Sequence, residues 1–195
     1  MSDDATIGFY DRQTEAYRKV AEGFDNDALR RMMRDLPPGA HVLDLGCGPG
    51  QDSRLLARAG FRVTAMDASA EMVRQAGLEP GVTTRHATFA DLDDAAAFDA
   101  VWASFSLLHA PKSDFPAHLA AIRRALKPGG TLVLSLKTGT GESRDRLGRF
   151  YAFYEEDELA SLLAAAGFVV AETRRGRAKG MAGTEDPHVT MTAHA

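Results

Sequence analysis

The segment Val42-Leu43-Asp44-Leu45-Gly46-Cys47-Gly48-Pro49-Gly50 constrains this chain more than any other. A short apolar run ends in an acid, and glycines at alternate positions lead into a helical pattern. That is a strand, a tight loop and a helix N-terminus. Ligands of open α/β sheets bind at the carboxyl ends of strands, where glycine lets backbone approach closely.

The rest of the chain alternates in the same way. Strands are predicted at His41–Leu45, Arg62–Met66, Val82–His86, Phe98–Ser104, Thr131–Lys137 and Phe168–Thr173. Helices are predicted over Asp4–Glu22 and Asp25–Leu36, the second opening on Asp25 as N-cap, then from the glycine loop to Ala59. Further helices follow at Ser69–Ala76, Asp114–Leu126 and Glu155–Ala166. Arg174–Pro187 has no period and several glycines, which reads as a loop, and His188–Ala193 alternates as a last strand. Strands alternating with helices predict a parallel sheet covered on both faces. The 195 residues fit one domain, with 1–36 as an N-terminal helical cap and 40–195 as a Rossmann-like core.

Composition excludes several partners. A formal net charge of −4 argues against nucleic acid as the main ligand. The one dense basic run, Arg174-Arg175-Gly176-Arg177-Ala178-Lys179, lacks aromatic residues to stack on bases. Cys47 is the sole cysteine, so no disulfide within the chain and no cysteine-based metal cluster can form. No metal is therefore expected. The longest apolar stretch, Leu159–Ala171, is too short to span a bilayer, and the Met-Ser-Asp-Asp start has no secretory pattern. Cytoplasm is the expected location, with no membrane partner.

The glycine loop suits one ligand class better than another. A nicotinamide dinucleotide site prefers Gly-x-Gly-x-x-Gly. Counted from Gly46, the third glycine would fall on Gln51, and the pattern fails. Asp44, at the strand end beside the loop, would repel a pyrophosphate and attract an ammonium. Asp67 stands 21 residues after Gly46 at the end of the second strand, where a carboxylate accepts hydrogen bonds from ribose hydroxyls.

Three stretches together, residues 42–53, Val63-Thr64-Ala65-Met66-Asp67-Ala68-Ser69 and Leu126-Lys127-Pro128-Gly129-Gly130-Thr131-Leu132, resemble the motifs of class I S-adenosylmethionine-dependent methyltransferases. Arg85-His86-Ala87-Thr88-Phe89 and Leu107-Leu108-His109 narrow the likeness to small bacterial members whose acceptors are mostly unassigned. The resemblance implies a seven-stranded, mostly parallel sheet with an antiparallel last strand. It also implies S-adenosylmethionine as cofactor and S-adenosylhomocysteine as product.

Gly46, Gly48 and Gly50 would then approach the methionine portion, with Asp44 near its ammonium and Asp67 on the ribose. Ala68 and Met72 would pack near the nucleoside, and Thr88 and Phe89 would take the adenine edge. Family members often carry Asp where this chain has Thr88. Ser104 would lie near the transferred methyl group. Tyr10 and Tyr17, seven apart on one helix face, would close over the cofactor, or else anchor their helix to the core.

His109 is the candidate general base, placed after the fourth strand where a small-molecule acceptor should arrive; its alternative is a histidine bound to loop backbone. His86 is read as structural. After the fifth strand come Lys137 and the loop 144–149, and Gly148-Arg149-Phe150 matches a Gly-Arg-Phe of the group resembled. Arg149 would pair with a carboxylate or phosphate of the acceptor, or lie in a solvated loop. Two rival functions remain: a protein that binds the cofactor without transferring methyl groups, and an NAD(P)-dependent oxidoreductase.

Overall fold

The computed structural model describes residues 3–21 and 27–195. In chain order the elements are α1 (Asp4–Ala21), α2 (Asp27–Asp35), β1 (His41–Leu45), α3 (Gln51–Arg58), β2 (Arg62–Asp67) and α4 (Ala70–Ala76). They continue with β3 (Val82–His86), β4 (Phe98–Ser104), α5 (Phe115–Ala125) and β5 (Leu126–Lys137). The chain closes with β6 (Glu142–Arg144), β7 (Phe150–Ala152), α6 (Glu156–Ala165), β8 (Val169–Lys179) and β9 (Glu185–His194). The predicted Asp25 cap and the Glu22 helix end lie outside the described residues.

Seven strands form one sheet in the order β3-β2-β1-β4-β5-β9-β8. Neighbours from β3 to β5 pair parallel, and β9 alone runs antiparallel, against both β5 and β8. Strand alternation sorts the core by face. Leu43 and Leu45 of β1 and Val101 and Ala103 of β4 join Phe115, Leu119 and Ile122 of α5 and Leu159 and Leu163 of α6. On the other face Val42 and Trp102 join Leu29 and Met32 of α2 and Leu56 of α3. So α2, expected to be part of a cap, is a layer of the core.

Two hairpins depart from the expected pattern. Arg174–Pro187 is not a loop: β8 runs to Lys179, β9 starts at Glu185, and only a short turn separates them. The hairpin pairs in register from Thr173↔Met191 to Lys179↔Glu185. Its far half carries charged residues on both faces, so backbone pairing holds it with no apolar stripe to announce it. The β6–β7 hairpin, turning at Gly148 (φ 82°), was not anticipated either. No helix among the described residues is long and apolar enough to cross a membrane.

Candidate functional site

The strand order reverses between β1 and β4, and there a cleft opens at their carboxyl ends, as doubly wound sheets require. It consists of two adjoining cavities. The inner one takes Asp67, Ala68 and Met72 from the β2–α4 bank and Phe89 from the turn after β3. The outer one reaches Asp44, Asp52 and Trp102 on one side and Lys137, Arg149 and Tyr151 on the other. Tyr10, Tyr17, Gly46, Gly48, Ser104 and His109 border both.

Twelve of the fourteen residues singled out from the sequence thus line one cleft, and two do not. Gly50 serves helix packing: a Cβ there would sit 2.7 Å from the Cα and Cβ of Ala76 in α4. Thr88 caps the short turn after β3, its hydroxyl donating to Asp91 Oδ2 at 2.7 Å. His86 also stays outside the cleft, its Nε2 3.0 Å from the Ala68 carbonyl oxygen.

Gly46 is demanded twice over. Its φ is +77°, and a Cβ would fall 2.2 Å from the Cβ of Ser106. Ser106 is drawn in because its hydroxyl donates to the Leu45 carbonyl at 2.6 Å. The residue before it, Phe105, has φ +52°, a left-handed conformation that is costly for a bulky side chain and marks functional loops. No glycine advertises that kink, which is therefore silent at the level of residue pattern.

The floor of the cleft is acidic. Ser53 Oγ donates to Asp44 Oδ2 at 2.6 Å, and Trp102 Nε1 to Asp52 Oδ2 at 2.9 Å. Burial raises both carboxyl pKa values, and the charge of Asp52 raises that of Asp44 further. Asp67 receives the backbone amides of Gly48 (2.9 Å) and Ser69 (2.8 Å), which oppose the upward push of its burial. Each oxygen keeps acceptor capacity. Buried carboxylates gathered under a glycine loop fit a ligand that brings an ammonium and vicinal hydroxyls, and disfavour one that brings phosphates. S-Adenosylmethionine meets that description. Among the described residues no group of three or more His, Cys, Asp or Glu could hold a metal ion.

Over the cleft lies a polar chain. Arg149, 2% exposed, donates from Nε and Nη2 to Asp145 Oδ2 (3.0 and 2.6 Å) and from Nη1 to Tyr10 Oη (2.9 Å). Tyr10 Oη is 3.0 Å from His109 Nε2, and His109 Nδ1 is 2.7 Å from the Phe150 carbonyl. The carbonyl can only accept, so Nδ1 carries the hydrogen and Nε2 accepts from Tyr10. Burial, seconded by the nearby charge of Arg149, pushes the His109 pKa down to about 4, so its imidazole is neutral. The solvated loop foreseen as an alternative for Arg149 is excluded, and its guanidinium fork is already engaged by Asp145. Tyr17 meets Tyr10 edge-to-face with centroids 5.2 Å apart, although α1 breaks its helical geometry at Gln13 between them.

Residues 42–130 match the family model described as a methyltransferase domain. The ubiquinone biosynthesis O-methyltransferase of Xanthomonas axonopodis pv. citri is 44% identical over 106 residues, covering 51% of this chain and 44% of that one. The chain thus spans less than half the length of that relative. Among solved structures, the 1,6-didemethyltoxoflavin-N1-methyltransferase of Burkholderia thailandensis, with 1,6-didemethyltoxoflavin and S-adenosylhomocysteine bound, superposes with a TM-score of 0.78. It is 27% identical, over 98% of this chain and 87% of that one. The cyclase SpnF superposes at 0.73 over 96% of this chain and 93% of its own, with 24% identity, a likeness of fold alone.

Proposed function

We propose that this chain belongs to the class I S-adenosylmethionine-dependent methyltransferase family and transfers a methyl group to a small-molecule acceptor by direct in-line displacement. The observation that carries the reading is the acidic floor: Asp44 and Asp67 converge on the glycine loop where strand order reverses. In this reading Gly46 and Gly48 receive the aminoacyl part, with the ammonium against Asp44. Asp67 accepts the ribose hydroxyls, and Ala68, Met72 and Phe89 pack on the nucleoside. Tyr10 and Tyr17 close the cleft from above, and Ser104 lies beside the reacting methyl.

S-Adenosylmethionine supplies a methyl group already activated on a sulfonium, so no covalent enzyme intermediate is needed. What the chain contributes is alignment and exclusion of water. Where the acceptor must lose a proton, His109 Nε2 is the receiving atom, and the proton reaches it through Tyr10, whose hydroxyl passes its own hydrogen on. Arg149 holds Tyr10 in that position. We take the protein to be a bacterial, cytoplasmic enzyme, since the relatives above come from bacteria and its one cysteine leaves no disulfide to form within the chain.

Calorimetry and product analysis test this directly. Saturable binding of S-adenosylmethionine, with release of S-adenosylhomocysteine from a metabolite mixture, is expected. Cofactor binding with no product under any acceptor would leave a binding protein, and NAD binding in its place would overturn the assignment.

A further inference from the structure

The outer cavity is electrically lopsided, and its asymmetry follows strand order. Asp44 and Asp52 sit at the β1 side. Across the cleft, β5 and the β8–β9 hairpin bring Lys137, Arg177 and Lys179 to the wall, with Asp186 as the carboxylate among the lining residues of that bank. Lys137 Nζ lies 2.7 Å from Asp186 Oδ2 and 4.1 Å from the Tyr151 ring centroid. Arg177 spends one nitrogen on the Glu185 carbonyl at 2.9 Å. Arg149 borders this wall too, but Asp145 and Tyr10 hold its guanidinium. Three cations against one acid leave an excess of positive charge at the mouth.

The wall is also aromatic. Tyr10, Tyr17, Phe105 and Tyr151 border the cavity. His188 borders it as well, and its buried Nδ1 has no hydrogen-bond partner among the described residues. Gly176 is what admits that ring: a Cβ there would lie 2.6 Å from His188 Nε2. Neighbouring strands lie about 4.8 Å apart, which puts β5, β9 and β8 roughly 5, 10 and 14 Å from β4. Lys137 thus stands on the strand next to Ser104, a separation of about 5 Å that one aromatic ring spans, and Arg177 and Lys179 line the same cavity farther out.

We infer that the acceptor is a planar aromatic acid whose anionic group docks on Lys137, Arg177 and Lys179 while the atom to be methylated points back to Ser104. The inference rests on the methyltransferase reading and names its substrate class. The acidic floor then repels the acceptor's anion and the basic mouth attracts it, so a single orientation survives. This assigns acceptor recognition to a hairpin with no place in the cofactor site.

The test uses calorimetry on the full chain saturated with S-adenosylhomocysteine. Probes are 4-hydroxybenzoate and phenyl phosphate, each set against a neutral partner, methyl 4-hydroxybenzoate and phenol. Each acid that fits binds about tenfold or more tightly than its partner, and the preference narrows as salt is added. The carboxylate and phosphate arms tell the two anions apart. The double variant Arg177→Ala/Lys179→Ala, altered at exposed positions of the hairpin, loses most of the preference, and its S-adenosylhomocysteine affinity serves as the check on folding. Equal binding of the neutral partners, failure of both acids to bind, or an acid preference intact in the double variant overturns the inference. Wild-type protein that does not bind S-adenosylhomocysteine overturns the methyltransferase reading as well, whereas retained binding without acid preference overturns this inference alone.

Discussion

On the β1–β4 side of the cleft the walls are backbone and short side chains locked into the core, whereas on the β5–β9–β8 side they are long charged side chains carried on hairpins. Gly46 fits against Ser106 with no room for one more carbon, and Asp44 is pinned by Ser53. Arg177 and Lys179 stand exposed at the end of an edge strand. The first side can hold one shape of ligand and tolerates little change. The second reads charge at a distance and can be altered without touching the sheet.

The contrast is open to direct attack. The largest expected effect is at Gly46: Gly46→Ala adds a clash with Ser106 to a left-handed backbone and costs about 2–5 kcal/mol in urea unfolding. A loss under about 1 kcal/mol would mean the loop yields, and the contrast would fail.

Next comes Asp44→Asn, which should weaken S-adenosylmethionine binding by about 10–100-fold in calorimetry. The same change should raise the melting temperature of the ligand-free protein. The native carboxyl has a raised pKa, so it binds its proton more tightly than the unfolded chain does. Wild-type stability therefore falls as pH rises above the ordinary Asp value of about 3.9, and the asparagine variant escapes that part of the fall.

Tyr10→Phe is a smaller perturbation. It strips partners from Arg149 Nη1 and His109 Nε2 and should cost about 1–3 kcal/mol in urea unfolding at pH 7. His109 itself sets an opposite pH slope. Its native pKa is down to about 4, below its ordinary value, so the unfolded state gains a proton first on acidification. Its contribution is flat above the ordinary value and turns destabilising as pH falls toward 4, a slope His109→Gln should remove. The smallest effect belongs to the hairpin. Arg175→Ala breaks an ion pair with Glu156 at a side chain 76% exposed, and should stay within about 0.5 kcal/mol.

That ranking matches what could be read from the sequence. Strands β1 and β4 fall where apolar runs predict them, because buried parallel strands must be apolar on both faces, whereas the half-exposed edge strand β3 is marked only by its β-branched Val82-Thr83-Thr84. Of the cleft residues, Asp44, Gly46, Gly48 and Asp67 follow from the glycine loop and the strand-end acids, Ala68, Met72, Phe89 and Ser104 follow from the family likeness, and Asp52, Trp102 and Ser106 went unmarked. What stayed hidden depends on partners far along the chain. Whether Gly50 makes room for a ligand or for Ala76 is decided by α4, and the kink at Phe105 is held by Ser135, whose carbonyl accepts its amide at 3.0 Å. The charged half of β8 looks like a loop because, among the described residues, the one strand it pairs with is β9. Asp145 and Tyr151 belong to the site through the β6–β7 hairpin, which has three-residue strands and no periodic signal.

Helix α1 bridges both banks, and the way it is fastened has a consequence for traffic through the cleft. Asp11 takes hydrogen bonds from Ser69 and Glu71 at the start of α4, while Asp3 pairs with Arg144 and Thr6 holds Phe150 on the opposite hairpin. Its fully buried positions among the described residues, Thr6 and Thr14, are not apolar. Salt screens the carboxylate fastenings of this lintel, at Asp3 and Asp11, while the oily slab beneath it, held by the exclusion of water, is not loosened. Ionic strength therefore bears on the doorway of this molecule and leaves the house standing.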